Sequence, residues 1–598
     1  MPNQLRVPVE PPSRGTSVGT IARQAQWSVP AVFLMVYLVT QYAWAAQAPF
    51  INEDYAFLDT TRSRSLFNLW LDPALRTGPW FRPWSQGFHY WLCQRMFGIR
   101  VEPWHAVSGA LALTILVSYF LLIRRAIGRR GAAIATAGAA VMVAWGPLVT
   151  WVAGVQDLWM LVFALGMLHS LVNQRPGWAT AMFVLALCSK ETAAVLPALS
   201  VCWLVTNEHR TMRRALLSTL PMWILLAIWA TLYPSHGGVL SSFHRISEVP
   251  SAGTRARELL VAALLAVLNL DIRPQPAGGW PAAATLAAPG CAALIGFIVW
   301  CYRGNPSADH SLDAPATHPS TKNVQPRTGH QVAFGTCWAF LGWAPLLSPA
   351  LHWHSYYSLL GGLGAWYAIA PLLARWPAVA SGVVLCLGTL RAGRSTTVIH
   401  DWGEESYLRR AAGCLRGMHA DLLAKCPAPA PHTRFYFRDV PSEVGFLVSD
   451  GPVIRVWYED ATLQGWFYRD FRAREIVAPP GVDRFFRYDP SVGWVEIVVG
   501  AEDVLAAQMR NSRWADDHRR LVLTLAKGGD WTATMAEYSK LASSFPDSAS
   551  YPYMAGLAAL ACGDSAAGER LISRAAKLRS ADPEIQSAAR AIALRSRR

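Results

Sequence analysis

Apolar residues in this chain gather in long runs rather than in the alternating pattern of a half-buried strand. Between about 104 and 390 the runs reach roughly 15 to 20 residues, the length a helix needs to cross a hydrocarbon core. A first run, Val29 to Ala46, follows a polar stretch with Arg6, Arg14 and Arg23. No small-residue cleavage pattern there is convincing and many more spans follow, so it reads as an uncleaved membrane helix behind a cytoplasmic tail, residues 1–27. A second run, Trp104 to Ile123, ends in Arg124, Arg125, Arg129 and Arg130. Short basic loops stay on the cytoplasmic side, so residues 47–103 form an outer loop. The same rule places Arg210, Arg213, Arg214 and the polar loop 303–330 inside. The expectation is a polytopic helical domain over 28–391 with about eleven spans, leaving the C-terminal region outside the cytoplasm. Two features strain this topology. The outer loop itself carries Arg62, Arg64, Arg76, Arg82, Arg95 and Arg100, although the rule weakens for long loops. Leu259 to Leu270 is short for a span, and a crossing there would invert every later assignment.

Composition agrees with the bilayer reading. The 598 residues are 53% hydrophobic and 16% charged, with a mean hydropathy of +0.22, too apolar for an ordinary soluble enzyme. The net charge of +15 sits largely in short loops between apolar runs, which argues for topology and against nucleic-acid binding. Most of the ten cysteines lie in or beside apolar runs, where Cys acts as a small hydrophobe. Cys414 and Cys426, if on one helix, stand roughly 18 Å apart, too far for a disulfide.

Beyond about 400 charged and turn-forming residues return. Within 392–502, the runs Arg434–Val440, Val453–Tyr458 and Val495–Val499, with turn pairs Asp450-Gly451 and Pro480-Gly481, predict a small β-rich module. From 503 to 598 the pattern turns helical. Gly529-Asp530 recurs as Gly563-Asp564, 34 residues later, with Pro546 at a repeat end and Gly556 at a small packing position. This resembles about two tetratricopeptide-like helical hairpins, with an unrelated pair of hairpins as the plainer alternative.

Candidate chemistry concentrates at what this topology makes the outer ends of spans. The first outer loop opens with Asn52-Glu53-Asp54-Tyr55 and continues through Phe81-Arg82-Pro83-Trp84. Pro83 suits a first helical turn, and Trp80, Trp84, Phe88 and Trp91 then share one face suited to a bilayer interface. Gln156-Asp157 sit at a turn between apolar runs, and Ser189-Lys190-Glu191 interrupt the apolar stretch Ala179 to Val205. Ionisable residues at such places are costly unless paired or facing a wet cavity. His352-Trp353-His354-Ser355-Tyr356-Tyr357 precede another span, and no third metal ligand accompanies the two histidines.

Taken in order, Glu53-Asp54, the Phe-Arg-Pro element at 81–83, Phe97-Gly98, His105, Gln156-Asp157 and Lys190-Glu191 resemble the N-terminal half of C-type membrane glycosyltransferases. With its helical-repeat tail the chain is similar to the transmembrane-and-tetratricopeptide-repeat O-mannosyltransferases within that superfamily. The resemblance implies a polyprenyl-phosphate-linked sugar donor, a first-loop carboxylate as catalytic base, an extracytoplasmic protein or glycan acceptor, and residence in the inner membrane with the C-terminal region on the periplasmic side. It assigns Asp54 as first choice for the base and Glu53 as second. Arg82, Lys190, His354, His352 and Tyr356 are candidates for the donor phosphate, with Gln156, Asp157, Glu191 and His105 in support. This chain departs from many relatives in its Glu-Asp order and in offering histidines where an arginine near a tyrosine is common.

The residue types suit that reaction. An acceptor hydroxyl needs a positioned carboxylate to take its proton, and a lipid-phosphate leaving group needs cationic donors rather than an acid. No cofactor or divalent metal is required. Two other classes stay open: a non-catalytic membrane scaffold displaying a repeat domain, and a lipid-linked saccharide transporter, which internal repeats would favour.

Overall fold

The computed structural model describes residues 16–71, 81–232, 252–270, 276–303, 328–347, 353–399, 401–445, 451–467, 481–497, 526, 529–579 and 582–595. The chain divides into two compact units, Met1–His419 with Ser442–Leu447, and Ala420–Pro441 with Val448–Arg598.

The first unit is helical and built for a bilayer. Ser28–Gln47, Val101–Ala140, Val152–Val172, Met212–Thr231 and Gly279–Arg303 are each long and apolar enough to cross one, and Pro176–Leu187 and Glu191–Thr206 are shorter apolar helices. This is an integral membrane protein. Val101–Ala140 breaks at Gly128, among the arginines that end the second apolar run, where φ 71° and ψ 168° end one helix and start the next. Only glycine takes that backbone without strain. The arginines flanking the break are braced, Arg129 over the Trp300 ring at 4.0 Å and Arg130 over Tyr302 at 5.0 Å. Residues 131–140 then run through the protein interior, all buried.

Helices Thr328–Trp343 and Leu359–Leu373 pack along a glycine seam. A Cβ at Gly335, Gly342 or Gly364 would stand 2.5 Å from the backbone nitrogen of Ala368, Gly361 or Ala339. Apolar side chains gain little by association in lipid, so close backbone approach supplies the contact. The segment flagged as short, Leu259 to Leu270, begins within helix Ala252–Val267, 16 residues or about 24 Å long, and runs past its end. Beyond that end lies Asn269, fully buried, whose amide nitrogen donates to Val141 O (2.8 Å) and Leu387 O (2.9 Å) while its oxygen accepts the Val143 N–H (2.9 Å).

In the second unit, strands β1 (Arg434–Arg438), β2 (Gln464–Phe467), β3 (Asp483–Asp489) and β4 (Gly493–Glu496) form one sheet in the order β2-β1-β3-β4. β1 runs parallel to both β2 and β3, and β3 pairs antiparallel with β4. The strand expected at Val453–Tyr458 is instead a helix, Pro452–Trp457. Parallel neighbours need a long crossover between β1 and β2, and a helix provides it. Gly451 at φ 73° and Pro452 at the first turn start that helix, and Val453, Ile454 and Val456 are buried. The module is therefore mixed α and β rather than β-rich.

Four helices follow, Trp531–Ser544, Ser550–Ala561, Ser565–Leu578 and Pro583–Arg595, each packed on the next. The 34-residue recurrence has matching geometry. Gly529 and Gly563 take φ 75° and 90°, and Asp530 and Asp564 cap the next helix by accepting the N–H of Ala533 (3.0 Å) and Ala567 (2.9 Å). At Gly556 a Cβ would lie 2.5 Å from Ile572 Cγ1, so the neighbouring helix admits only hydrogen there.

Candidate functional site

The first loop begins where the chain leaves its first helix. Asn52 takes φ 53°, a left-handed conformation that Asn tolerates better than most residues, and Glu53 leads into helix Asp54–Arg62. The two adjacent carboxylates then meet different surroundings. Asp54 is fully buried, its Oδ2 accepting the Ile51 N–H at 2.8 Å and its Oδ1 the Tyr90 hydroxyl at 2.7 Å. Burial pushes its pKa up to about 7, against the lowering pull of those hydrogen bonds. Glu53 keeps a buried oxygen, Oε2, with no hydrogen-bond partner among the described residues. Burial also raises its pKa, opposed by its own backbone N–H and by the charges of Arg82, Lys190 and His354. Those three side chains come from three separate stretches of sequence.

Arg82 and Lys190 are held by reciprocal pairing. Pro83 opens a turn of π-helix, Pro83–Phe88, whose start is stitched to the stretch before Lys190. The Trp84 N–H donates to Cys188 O (3.0 Å) and the Ser85 hydroxyl to Ser189 O (2.7 Å). Arg82 then grips Glu191 with two bonds, 2.8 and 2.6 Å, and donates a short one to the Gln156 side-chain oxygen. Lys190 Nζ meets Asp157 Oδ2 at 2.5 Å. The Gln-Asp and Lys-Glu dipeptides are thus cross-linked through one another, with Arg82 joining the first loop to both. Trp84, expected on a bilayer-facing stripe, packs edge-on against Trp159 and Phe163, with ring centroids at 5.6 and 5.3 Å. Trp80 lies outside the described residues.

The third side chain arrives from the residues before helix Leu359–Leu373. His354 Nδ1 lies 2.8 Å from Asp401 Oδ1, and its ring is parallel to Tyr356, with centroids at 5.7 Å. Lys190 Nζ stands 4.6 Å from the Tyr357 ring centroid and 5.4 Å from that of Tyr356, within cation–π range. His352 lies outside the described residues. His105 is buried and sits apart from this cluster, its ring nitrogens 3.2 Å from Val149 O and 3.0 Å from Ala48 O, where it ties two backbone segments together. Beside the ion pairs opens a small pocket, lined by Asp157, Thr192, Tyr356 and Tyr357 on its polar side. Met160, Leu161, Gly342, Leu346, Leu359 and Leu360 line the rest. Among the described residues no three His, Cys, Asp or Glu side chains gather as a metal-binding group.

This geometry sets an unpartnered carboxylate oxygen in the field of Arg82 and Lys190 and near the His354 ring, with a pocket of polar and apolar walls beside the ion pairs. Among solved structures, the chain is similar to ArnT from Cupriavidus metallidurans. The crystal structure of that protein bound to undecaprenyl phosphate is 14% identical, with a TM-score of 0.30 over 75% of this chain and 86% of that one. Its apo form gives 16%, 0.28, 74% and 85%. No family model matches the chain, and no curated protein matches it. A likeness this loose leaves the architecture to rest on the helices described above.

Several residues at the site escaped the sequence reading. Tyr90, which binds Asp54, lies in a stretch read only for its indoles. Asp401 and Trp402 fall beyond the last apolar run, in a region assigned to the soluble tail. Tyr357 had a legible signal, since it adjoins Tyr356 in the same aromatic and histidine cluster.

Proposed function

We propose that this protein is a C-type membrane glycosyltransferase that moves a sugar from a polyprenyl-phosphate carrier to an acceptor hydroxyl outside the cytoplasm. The observation behind this reading is the Glu53 oxygen, buried and without a hydrogen-bond partner among the described residues, in the field of Arg82, Lys190 and His354. A proton acceptor next to a cationic group is what transfer from a lipid phosphate requires. The carboxylate takes the acceptor's proton as the glycosyl bond forms, and the cations stabilise the phosphate as it leaves. In this reading Glu53 is the base and Asp54 is its support. The Asp54 oxygens are occupied by Ile51 and Tyr90, and its raised pKa leaves it partly protonated at neutral pH. Arg82 and Lys190, held by Glu191, Asp157 and Gln156, are proposed to meet the phosphate, with His354 beside them. The pocket's apolar wall suits a lipid carrier.

The paired substitutions Glu53→Gln and Asp54→Asn test this assignment. With full-length protein in nanodiscs, Glu53→Gln lowers transfer by roughly two to four orders of magnitude and retains undecaprenyl phosphate binding. Asp54→Asn lowers transfer less and perturbs folding more. The opposite ranking returns the base to Asp54, and near-normal transfer in both variants overturns the catalytic reading.

The C-terminal helices are proposed to hold the acceptor or a partner on the periplasmic side. Alkaline phosphatase fused after residue 598 is then active, and deletion of 503–598 weakens acceptor use while donor binding persists.

A further inference from the structure

The turn between helices Pro377–Thr396 and Glu405–Lys425 lies past the last apolar run, yet it surrounds His354. Asp401 Oδ1 accepts from His354 Nδ1 at 2.8 Å and also from the Gly403 N–H at 2.9 Å, which closes the turn. Trp402 packs edge-on against the imidazole, with centroids 4.0 Å apart, and against Trp151 at 5.7 Å. The Trp151 indole in turn donates to Ile51 O at 3.1 Å, two residues before Glu53. At Gly403 a Cβ would lie 2.6 Å from His354 Nδ1, so only hydrogen fits beneath the ring. The far side of the turn is fixed by buried charge: Arg394 grips Glu404 at 3.0 and 2.6 Å, and Arg391 meets Glu405 at 3.0 Å. Three consecutive residues therefore contact one histidine through a carboxylate, an indole and a bare backbone, and two ion pairs hold those residues in place.

Such a cradle has a chemical consequence. With Nδ1 donating to Asp401, the proton of a neutral imidazole sits on Nδ1. The Nε2 nitrogen has no protein partner among the described residues. A carboxylate on Nδ1 fixes the tautomer and ring direction, and in the doubly protonated ring Nε2–H is a directed donor to an anion. The groups facing this pair are Glu53 and Arg394, which act on it through their charges, and Tyr356, Tyr357 and Trp402, which pack on the ring. Asp401 is suited to stay ionised. Burial raises its pKa, but the bonds from His354 and Gly403 and the charges of His354 and Arg394 hold it below the ordinary carboxylate range.

We propose that Asp401 is a positioning residue, which with Trp402 and Gly403 orients His354 so that Nε2 presents a proton to a phosphate oxygen of the bound lipid carrier. The proposal rests on the transferase reading for the identity of that anion, and on the turn alone for the orientation of His354.

The test uses full-length protein with ¹⁵N-labelled histidine in nanodiscs, the His354 signals being assigned by their loss in His354→Ala. Asp401→Asn is expected to shift the His354 nitrogen resonances away from the wild-type pattern. Undecaprenyl phosphate should move those resonances in wild type and move them less in Asp401→Asn. In transfer assays Asp401→Ala should lose about tenfold in an otherwise wild-type chain and little more in a His354→Ala background, because residues that act as one unit are not additive. Gly403→Ala, which displaces the ring and keeps the carboxylate, should reproduce the spectral change if Asp401→Ala fails to fold. Unchanged His354 resonances in Asp401→Asn, or multiplicative losses in the double variant, overturn the proposal. If undecaprenyl phosphate does not bind wild type, the transferase reading falls and the phosphate role falls with it. The nitrogen spectrum of the ligand-free protein still decides whether Asp401 orients His354.

Discussion

Two groups of buried charge lie in the membrane unit, and they differ in what is left over. In the group around 391–409, Arg394 binds Glu404 and both Arg391 and Arg409 bind Glu405, with the Gln41 side-chain oxygen also accepting from Arg391 at 2.8 Å and Arg391 Nε without a partner among the described residues. Glu404 and Glu405 each have an arginine partner there. In the group around 82–191, Arg82 binds Glu191 and Lys190 binds Asp157, yet a third carboxylate, Glu53, keeps an unpartnered oxygen in their field. Buried ion pairs alone say little about function, because partnered charges close on themselves as well in a brace as in an active site. The surplus group distinguishes the two, since leaving a carboxylate oxygen unbonded in the interior is costly unless another molecule uses it.

The contrast breaks most sharply on double substitutions. Replacing Asp157 and Lys190 together with Leu and Met removes the charges and keeps the volume. The variant should fold, yet lose transfer by two orders of magnitude or more, about 2.7 kcal/mol or above in the barrier. Retained transfer would move Lys190 from the site into the frame. In the brace, Arg394→Met strands Glu404 and should cost about 3–5 kcal/mol, read by denaturant titration in mixed micelles. Adding Glu404→Leu should recover most of that loss. Failure to recover would mean the brace holds more than its own charges.

Asp54 gives a smaller, pH-dependent effect. Its pKa in the folded protein, about 7, lies above the ordinary carboxylate value of 3.8. Its contribution is therefore fully present below about pH 4 and is lost as pH rises through about 7. The loss is roughly 2–4 kcal/mol. Thermal unfolding followed from pH 5 to 8 should show falling stability in wild type and a flatter profile in Asp54→Asn. The smallest effect belongs to a carboxylate outside both groups. Asp564→Ala removes a helix cap and should destabilise the helical repeats by about 1 kcal/mol, without the pH signature of Asp54.

The sequence made some of this arrangement legible and hid the rest for physical reasons. Charged dipeptides such as Gln156-Asp157 and Lys190-Glu191 stand out against apolar runs because a bilayer protein tolerates few of them, and the fold pairs them with each other and with Arg82. The direction of adjacent side chains is not written in composition. Glu53 and Asp54 differ by one position, and only the Asn52 turn and Tyr90, 36 residues beyond Asp54, separate the unpartnered carboxylate from the hydrogen-bonded one. The break at Gly128 was signalled by Arg124, Arg125, Arg129 and Arg130, which end the second apolar run. The helix at 452–457 was masked by a β-branched run whose partner strands lie parallel. Asp401 looked like part of a soluble tail because nothing local ties it to a histidine 47 residues earlier.

The glycine seam between Thr328–Trp343 and Leu359–Leu373 also governs how the pocket opens. Gly342 belongs to that seam, and Leu346, Leu359 and Leu360, which line the same wall, adjoin it. Backbones in direct contact leave no side-chain layer to slide or compress, so this wall acts as a rigid anvil. Widening the pocket then falls to the facing wall, where Asp157, Met160, Leu161 and Thr192 lie on segments that also carry the Lys190 ion pair. A bulky ligand entering the pocket thus presses on the electrostatic frame and not on the glycine wall, which couples pocket occupancy to the placement of charge around Glu53.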